Sequence, residues 1–193
     1  MYCVGDKRFV LGLLVWDHAA VTDQPIRRWE PSADLARLVV VSQAADVMFA
    51  DFGLSLPPDD PTDELWRAEH VLVAGTPPVG FAVLNTVDGR AHLASLGVHP
   101  AHGRRGVGGR LLAAACAVAA AEGRSAMTLT TFVDVPWNAP WYAARGFVEL
   151  SPDRWGAGLR AVWAAEVAAG IVVAPRIAMI RTMAAGEDVN RGA

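Results

Sequence analysis

The chain has 193 residues, which suits one domain with a core of its own, and its net charge of −3 argues against the basic surface of a nucleic-acid-binding protein. Its two cysteines, Cys3 and Cys116, lie far apart, and its longest early apolar run, residues 9–15, is too short to span a bilayer. We therefore expect a cytoplasmic protein without a disulfide framework, a metal site, or a membrane or nucleic-acid partner.

The chain divides into a single domain with an extension at each end. Residues 1–24 show no clear periodicity, so we expect an N-terminal extension that is either disordered or added as an edge strand. Regular hydrophobic patterns extend over residues 25–183, which we predict to form one domain. Residues 184–193 are rich in small and polar residues and are predicted to form a loose tail.

The first half of the domain predicts helices followed by strands. In chain order we expect a short strand at Ile26, a helix starting at Pro31 and running through Ala50, a short helix at residues 62–67, and strands at residues 69–74, 79–87 and 91–98. Good turn signals separate the three strands. They therefore predict an antiparallel meander.

The second half of the domain alternates helices and strands. Its first helix, residues 108–121, is rich in alanine and leucine and ends before Gly123. The remaining elements are predicted to be a strand at residues 127–133, a helix at 136–145, a strand at 147–150, a helix at 156–169 and a strand at 176–183. The last strand can pair beside the strand at residues 147–150.

A loop rich in glycine and arginine precedes the alanine-rich helix. Glycine lets backbone N–H groups approach an anion closely, and the helix N-terminus adds unpaired amides and a positive dipole end. The loop therefore predicts a phosphate site. A nucleotide-triphosphatase loop is excluded because Gly109 is followed by Arg110 and Leu111 rather than by lysine and serine or threonine. The dinucleotide fingerprint fails because its third glycine and its acidic ribose partner are both missing.

The loop from Gly103 to Gly109, in mid-chain after a strand ending Leu-Gly-Val-His-Pro, resembles the pyrophosphate loop of the Gcn5-related N-acetyltransferases, whose ligand is acetyl-coenzyme A. The order of predicted elements over residues 26–183 is also the order of that family's fold. The resemblance implies an α/β (α+β) acyl-CoA acyltransferase fold, with a mixed, mostly antiparallel sheet of about seven strands flanked by helices. In this fold the fourth and fifth strands run parallel and splay apart, and coenzyme A lies between them.

The resemblance also assigns the cofactor contacts. It implies that Leu96, Gly97 and Val98 contact the pantetheine arm and the thioester through the backbone, with the Val98 N–H meeting the oxyanion. The resemblance assigns the pyrophosphate contacts to six consecutive residues, Arg104, Arg105, Gly106, Val107, Gly108 and Gly109. One departure precedes this run, because the family usually has glutamine or arginine where Gly103 stands. Arg104 or Arg105 could compensate, since guanidinium pairs bidentately with phosphate.

A second family mark is the segment from Trp141 to Phe147, which resembles the family's Leu-Tyr-x-x-x-Gly-Phe segment. By this resemblance Tyr142 is the general acid that protonates the departing thiolate; the alternative is a tyrosine that only packs the helix on the sheet. The family's cofactor-binding asparagine is replaced by Val135. We assign a cofactor contact to Asn138 instead, with a role at the helix N-terminus as the alternative.

The general base is less clear from the sequence. Several family members use an acid on the fourth strand where this chain has His92, and a histidine near its unperturbed pKa of about 6.5 can accept a proton at neutral pH. The alternative is a strand histidine that faces solvent or is hydrogen-bonded, and Asp134 and Glu149 are reserve candidates. His99 and His102 have no third ligand in the loop, so we expect no metal there.

The acceptor is an amine that the sequence does not identify, on a small molecule or a protein. Four acids in the loop before residue 65 could attract a cationic amine, or could be solvated and cap the next helix: Asp59, Asp60, Asp63 and Glu64. Aromatic residues could line an apolar acceptor cleft: Trp29, Phe49, Phe52, Trp66, Trp137 and Trp141. Two functions stay open, an acetyl-CoA-dependent N-acetyltransferase and a catalytically silent acyl-CoA-binding regulatory module. A homodimer is also left open.

Overall fold

The computed structural model describes residues 24–58 and 60–183. The predicted tail and all but Gln24 of the predicted extension lie outside the described residues, as does Asp59. Within the described ranges, no helix is long and apolar enough to cross a membrane.

The described chain forms a seven-stranded mixed sheet in the order β1-β2-β3-β4-β5-β7-β6. The strands are β1 Ile26–Arg28, β2 His70–Ala74, β3 Gly80–Val87, β4 Arg90–Val98, β5 Ala126–Phe132, β6 Val148–Glu149 and β7 Arg176–Thr182. Neighbouring strands pair antiparallel except β4 and β5, which are parallel. This confirms the predicted fold class, and the last strand lies between β5 and β6.

Helices cover both faces of the sheet. They are α1 Pro31–Asp51, α2 Thr62–Arg67, α3 Val107–Ala121, α4 Ala139–Ala143 and α5 Ala157–Ala168, with short 3-10 helices at Pro100–His102 and Pro152–Arg154. Helix α4 is shorter than the predicted helix at residues 136–145. Pro140 lacks a backbone N–H and is tolerated only in the first turn, so the helix starts at Ala139.

Helix α3 packs on one face of the sheet through its small and branched side chains. Leu111 and Ala115 are fully buried in a core cluster that also contains Leu84, Leu93 and Met127 of the strands. Because alanine brings the helix backbone close to the sheet, the N-terminus of α3 is held firmly against the end of β4.

The opposite face carries α1 and α2, whereas Ala139 and Tyr142 of α4 belong to the same core cluster as α3. Leu38 and Val41 of α1 are fully buried against a cluster that includes Phe81 and Val83 of β3. The first turn of α1 is fixed by an ion pair in which Arg27 Nη1 and Nη2 donate to the Asp34 carboxylate at 2.7 and 2.8 Å.

The parallel strands β4 and β5 pair over two positions only, Ala91 with Met127 and His92 with Thr128. Beyond His92 the strands separate, so the β5-facing edge of β4 up to Val98 is open. The β3–β4 register also slips, because Val83 pairs with Ser95 while Leu84 pairs with Leu93. A bulge of this kind bends a strand. The result is a wedge between β4 and β5 that faces the N-terminus of α3.

Candidate active site

The wedge contains a cleft of about 170 Å³. Strands β4 and β5 supply most of its walls, and α1, α4 and the segments around α5 close it. Its lining residues are Phe49, Leu56, Leu93, Ala94, Leu96, Leu129, Thr130, Thr131, Phe132, Asn138, Tyr142, Ile171 and Arg176. Most of the lining residues have apolar side chains, and threonine, asparagine, tyrosine and arginine add polar groups, a combination found in small-molecule sites.

Backbone N–H groups of β4 point into the wedge. The His99 N–H donates to Val79 O at 2.9 Å, which places it on the β3 side of β4. Successive N–H groups of a strand point to opposite sides, so the Val98 and Leu96 N–H groups point toward β5, where pairing has already ended. Both amides are therefore available to a ligand in the wedge.

The loop before α3 leaves further amides free. Gly106 has φ 78°, a left-handed conformation that glycine adopts without strain, and no side chain caps the helix that follows. The first N–H groups of a helix have no partner within it, so the amides of Val107, Gly108 and Gly109 face outward at its positive end. Since the Val107 side chain is buried in the core, that residue can bind a ligand only through its backbone. This arrangement suits an anion.

Arg110 lies near the start of this helix and was not among the cofactor contacts predicted from the sequence. Its Nε and Nη2 atoms are buried and have no hydrogen-bond partner among the described residues. Its Nη1 lies 3.9 Å from where a Cβ on Gly106 would be. A buried cation without a partner is costly, so the geometry calls for an anion over the loop. The sequence signal was a third arginine one turn into the helix.

Glycines shape the floor of the wedge. A Cβ on Gly108 would lie 3.7 Å from side-chain atoms of Leu96, Val98 and Trp141, so Gly108 leaves room for about one methyl group there. At Gly97 a larger residue is excluded by packing, because a Cβ there would lie only 2.7 Å from Phe81 Cε1. Packing alone therefore requires Gly97, whereas Gly108 leaves usable space.

Tyr142 lies on α4 and lines the cleft while its ring packs in the core. The ring makes edge-to-face contacts with Trp141 and Phe147, with centroids 5.0 and 5.6 Å apart. The residue is 9 % exposed, and burial raises the pKa of its hydroxyl. At neutral pH the hydroxyl is therefore protonated, as a proton donor must be. Tyr142 thus packs in the core and also lines the cleft, so its packing is compatible with the predicted general-acid role.

His92 lies at the last position where β4 pairs with β5 and is 3 % exposed. Its Nδ1 is 3.0 Å from Thr128 Oγ1, and it is not among the residues that line the cleft. Burial lowers its pKa to about 4, so the ring is neutral at pH 7 and is a weak base. This geometry favours the hydrogen-bonded strand histidine over proton transfer.

Asn138 is the N-cap residue of α4, but its side chain makes no capping hydrogen bond, and it lines the cleft. The structure thus places it where a ligand in the wedge would pass. The reserve acids Asp134 and Glu149 are exposed and do not line the cleft.

Asp60 in the loop before α2, and Asp63 and Glu64 in its first turn, all have hydrogen-bond or ion-pair partners. Asp60 Oδ1 accepts a hydrogen bond from the Thr62 N–H at 3.0 Å, and Asp63 pairs with Arg67 at 3.0 Å. The Glu64 carboxylate accepts a hydrogen bond from Ser95 Oγ on β4 at 2.8 Å. None of these three acids lines the cleft, so capping and surface pairing account for Asp60 and Asp63.

A family model of the acetyltransferase (GNAT) family matches residues 42–147, more than half of the chain. The chain belongs to this family. Three solved structures have the same fold at TM-scores near 0.6, and each is less than 25 % identical to this chain.

N-acetylglutamate synthase from Neisseria gonorrhoeae, complexed with coenzyme A and N-acetyl-glutamate, has a TM-score of 0.61 and 21 % identity over 82 % of this chain and 35 % of that one. The ribosomal-protein-S18-alanine N-acetyltransferase from Escherichia coli has a TM-score of 0.59 and 20 % identity over 88 % of this chain and 100 % of that one. Rv2747 from Mycobacterium tuberculosis, in complex with CoA and NLQ, has a TM-score of 0.60 and 17 % identity over 82 % and 98 %. This chain spans about a third of the length of the Neisseria protein.

Gly103 is where this GNAT chain departs from the expected loop pattern. Its φ of −63° is open to any residue, but a Cβ would lie 3.1 Å from the Pro100 carbonyl oxygen. Glycine therefore fits a tight turn into the loop. The exposed side chains of Arg104 and Arg105 follow it, and Arg104 itself has a positive φ of 55°.

Proposed function

We propose that this GNAT protein is an N-acetyltransferase that moves the acetyl group of acetyl-CoA to a primary amine. The observation that carries the proposal is that Tyr142, whose hydroxyl group burial keeps protonated, lines the same cleft as Leu96 of β4, whose backbone N–H group points toward β5. Coenzyme A bound to GNAT-fold neighbours supports the choice of cofactor.

Acetyl-CoA fits the groups that the wedge offers. The free amides of Val107, Gly108 and Gly109 and the unpartnered guanidinium of Arg110 suit its pyrophosphate. The space over Gly108 and the open edge of β4 at Leu96 and Val98 suit the pantetheine arm. Asn138 would contact the same arm from α4.

Acetyl-CoA supplies a thioester, whose carbonyl carbon accepts the amine and whose sulfur leaves as a thiolate. The Val98 N–H would donate to the carbonyl oxygen as negative charge develops on it. Tyr142 would give its proton to the leaving sulfur. One C–N bond forms and one C–S bond breaks, and the proton that the amine loses returns through solvent to Tyr142.

His92 as the base stays a prediction with less support than Tyr142 has. Burial lowers the pKa of the His92 imidazole, and His92 does not line the cleft, so it is a weak acceptor for the proton of the substrate ammonium group. An acceptor that binds as the neutral amine already present in solution needs no base to deprotonate it.

The test combines binding and turnover. We expect acetyl-CoA to raise the melting temperature, and a panel of amines and peptides to release free thiol in its presence. The absence of both a thermal shift at saturating acetyl-CoA and thiol release with every amine tested would contradict this function. A thermal shift without thiol release would instead favour the catalytically silent module.

A further inference from the structure

The cleft continues past Tyr142 into a part that the proposed cofactor contacts do not use. We call it the acceptor pocket, and its residues are Phe49, Leu56, Thr130, Phe132, Ile171 and Arg176. These residues come from the end of α1, the loop after it, the second half of β5, and the segment from α5 into β7. The acceptor pocket therefore opens on the face of the sheet opposite α3.

Its walls are apolar and aromatic. Phe49 and Phe132 contact each other with ring centroids 5.6 Å apart, and Phe49 also contacts Trp137 at 5.8 Å. Leu56 and Ile171 complete the apolar surface. Such walls favour a ligand with an apolar body over a highly hydrated one.

Arg176 is the charged residue of this lining. Its guanidinium lies over the Phe132 ring, with Cζ 4.6 Å from the ring centroid, and its side chain is 8 % exposed. Among the described residues, its Nη2 donates to Glu166 Oε1 at 3.1 Å and to Thr130 Oγ1 at 3.2 Å. Glu166 does not line the cleft, so it holds the guanidinium from behind.

These two hydrogen bonds use only one of the three nitrogen atoms of the Arg176 guanidinium. Both involve Nη2, and Nε is buried without a partner in the described part of the chain. A guanidinium has five N–H donors and matches a carboxylate in a two-point contact. The bonds through Nη2 fix the orientation of the guanidinium and leave its other N–H donors without a partner among the described residues.

We propose that the acceptor carries a carboxylate and an apolar side chain in addition to its amine, as an apolar amino acid does. This rests on the proposed function, and it makes Arg176 the residue that selects the acceptor. The amine would lie at the Tyr142 end, the apolar side chain against Phe49 and Phe132, and the carboxylate against Arg176. A polyamine fits poorly, because its second cation would meet Arg176 and no acidic side chain of the described lining.

Matched acceptors test this assignment. L-phenylalanine and phenethylamine differ only in the carboxylate, as do L-leucine and 3-methylbutylamine. We expect kcat/KM, expressed per neutral amine to allow for the lower pKa of an α-ammonium group, to be about tenfold or more higher for the acid of each pair. In the Arg176→Met, Glu166→Gln double variant, which removes both partners of the buried pair, the ratio should fall to about one, while Arg176→Lys should retain part of it.

A binding measurement gives a second, independent answer. N-acetyl-L-phenylalanine should bind the CoA-saturated protein more tightly than N-acetylphenethylamine, and the double variant should lose this difference while keeping its acetyl-CoA thermal shift. Equal binding of the two compounds overturns the inference, whatever the turnover. Thiol release with amines but without carboxylate preference overturns the inference alone, whereas absence of any acetyl-CoA shift overturns the proposed function beneath it.

Discussion

Gly108 and Trp141 face each other across a gap that one methyl group would fill, because a Cβ on Gly108 would lie 3.7 Å from Cζ2 of the indole. This distance is an ordinary van der Waals contact. The gap lies between β4 and α4, on the proposed path of the pantetheine arm.

Gly108→Ala should therefore separate stability from binding. Alanine is favoured over glycine in a helix by up to about 1 kcal/mol, so the free energy of unfolding should stay the same or rise. The affinity for acetyl-CoA should fall, since the methyl group occupies the gap. Urea denaturation and isothermal titration calorimetry measure the two quantities.

The matched control is Gly109→Ala in the same helical turn. Its Cβ would meet only Arg145 Nη2, at 4.0 Å. We expect a similar gain in stability and a smaller loss of affinity. Equal affinity for acetyl-CoA in Gly108→Ala and the wild-type protein would show that the pantetheine arm takes another path.

Tyr142→Phe should lower kcat by about 10- to 1000-fold and leave the acetyl-CoA affinity nearly unchanged. The substitution keeps the ring contacts with Trp141 and Phe147 and removes only the hydroxyl. Because burial raises the Tyr142 pKa, no loss of kcat from its ionisation is expected below about pH 10. Steady-state thiol release measures both effects, and an unaltered kcat would remove Tyr142 from the mechanism.

Arg110→Met should weaken acetyl-CoA binding by about tenfold or more, the effect of losing one charge-assisted contact. Acetyl-pantetheine, which lacks the pyrophosphate, should bind the variant and the wild-type protein equally. Arg105→Gln is the comparison, since its exposed side chain should contribute less. A parallel loss for both ligands would mean that Arg110 supports the loop rather than the phosphates.

His92 should make the stability of the protein depend on pH. Its pKa is lowered by burial to about 4, whereas the unfolded chain has a value of about 6.5. The unfolded state therefore binds the proton first, and stability is lost as the pH falls from about 6.5 to about 4. The loss attributable to this group is up to about 3 kcal/mol.

Urea denaturation across this pH range should give a shallower slope for His92→Gln than for the wild-type protein. Thr128→Val keeps the imidazole and removes its hydrogen-bond partner, so it should retain the slope. If the slope persists in His92→Gln, another group is responsible. A kcat/KM limb that disappears in His92→Gln would instead assign the base role to this residue.

The order of the elements could be predicted from the sequence because it depends on local signals. Turn residues, caps and hydrophobic periodicity act over a few positions, and they placed the strands and α-helices of the described residues within a few positions, while the two short 3-10 helices were not predicted. The glycine-arginine loop could be predicted as an anion site for the same reason, since glycines, arginines and a helix start are adjacent in the chain. The unpartnered guanidinium of Arg110 could not be predicted, because its lack of a partner is a property of the packed structure.

The acceptor pocket as a whole could not be predicted from the sequence, because only the tertiary structure brings its residues together. Arg176 reaches Phe132 because β7 pairs with β5, and no local pattern records that pairing. Asp88 likewise caps α5 from the turn between β3 and β4, with bonds to the Gly158 and Leu159 N–H groups at 2.8 and 3.0 Å. His92 is buried because β4 and β5 separate only after its position. Local signals in the sequence were sufficient to predict the helices, the strands and the glycine-arginine loop. The side chains that face the cleft depend on long-range strand pairing, because contacts between distant residues exist only once the sheet has formed.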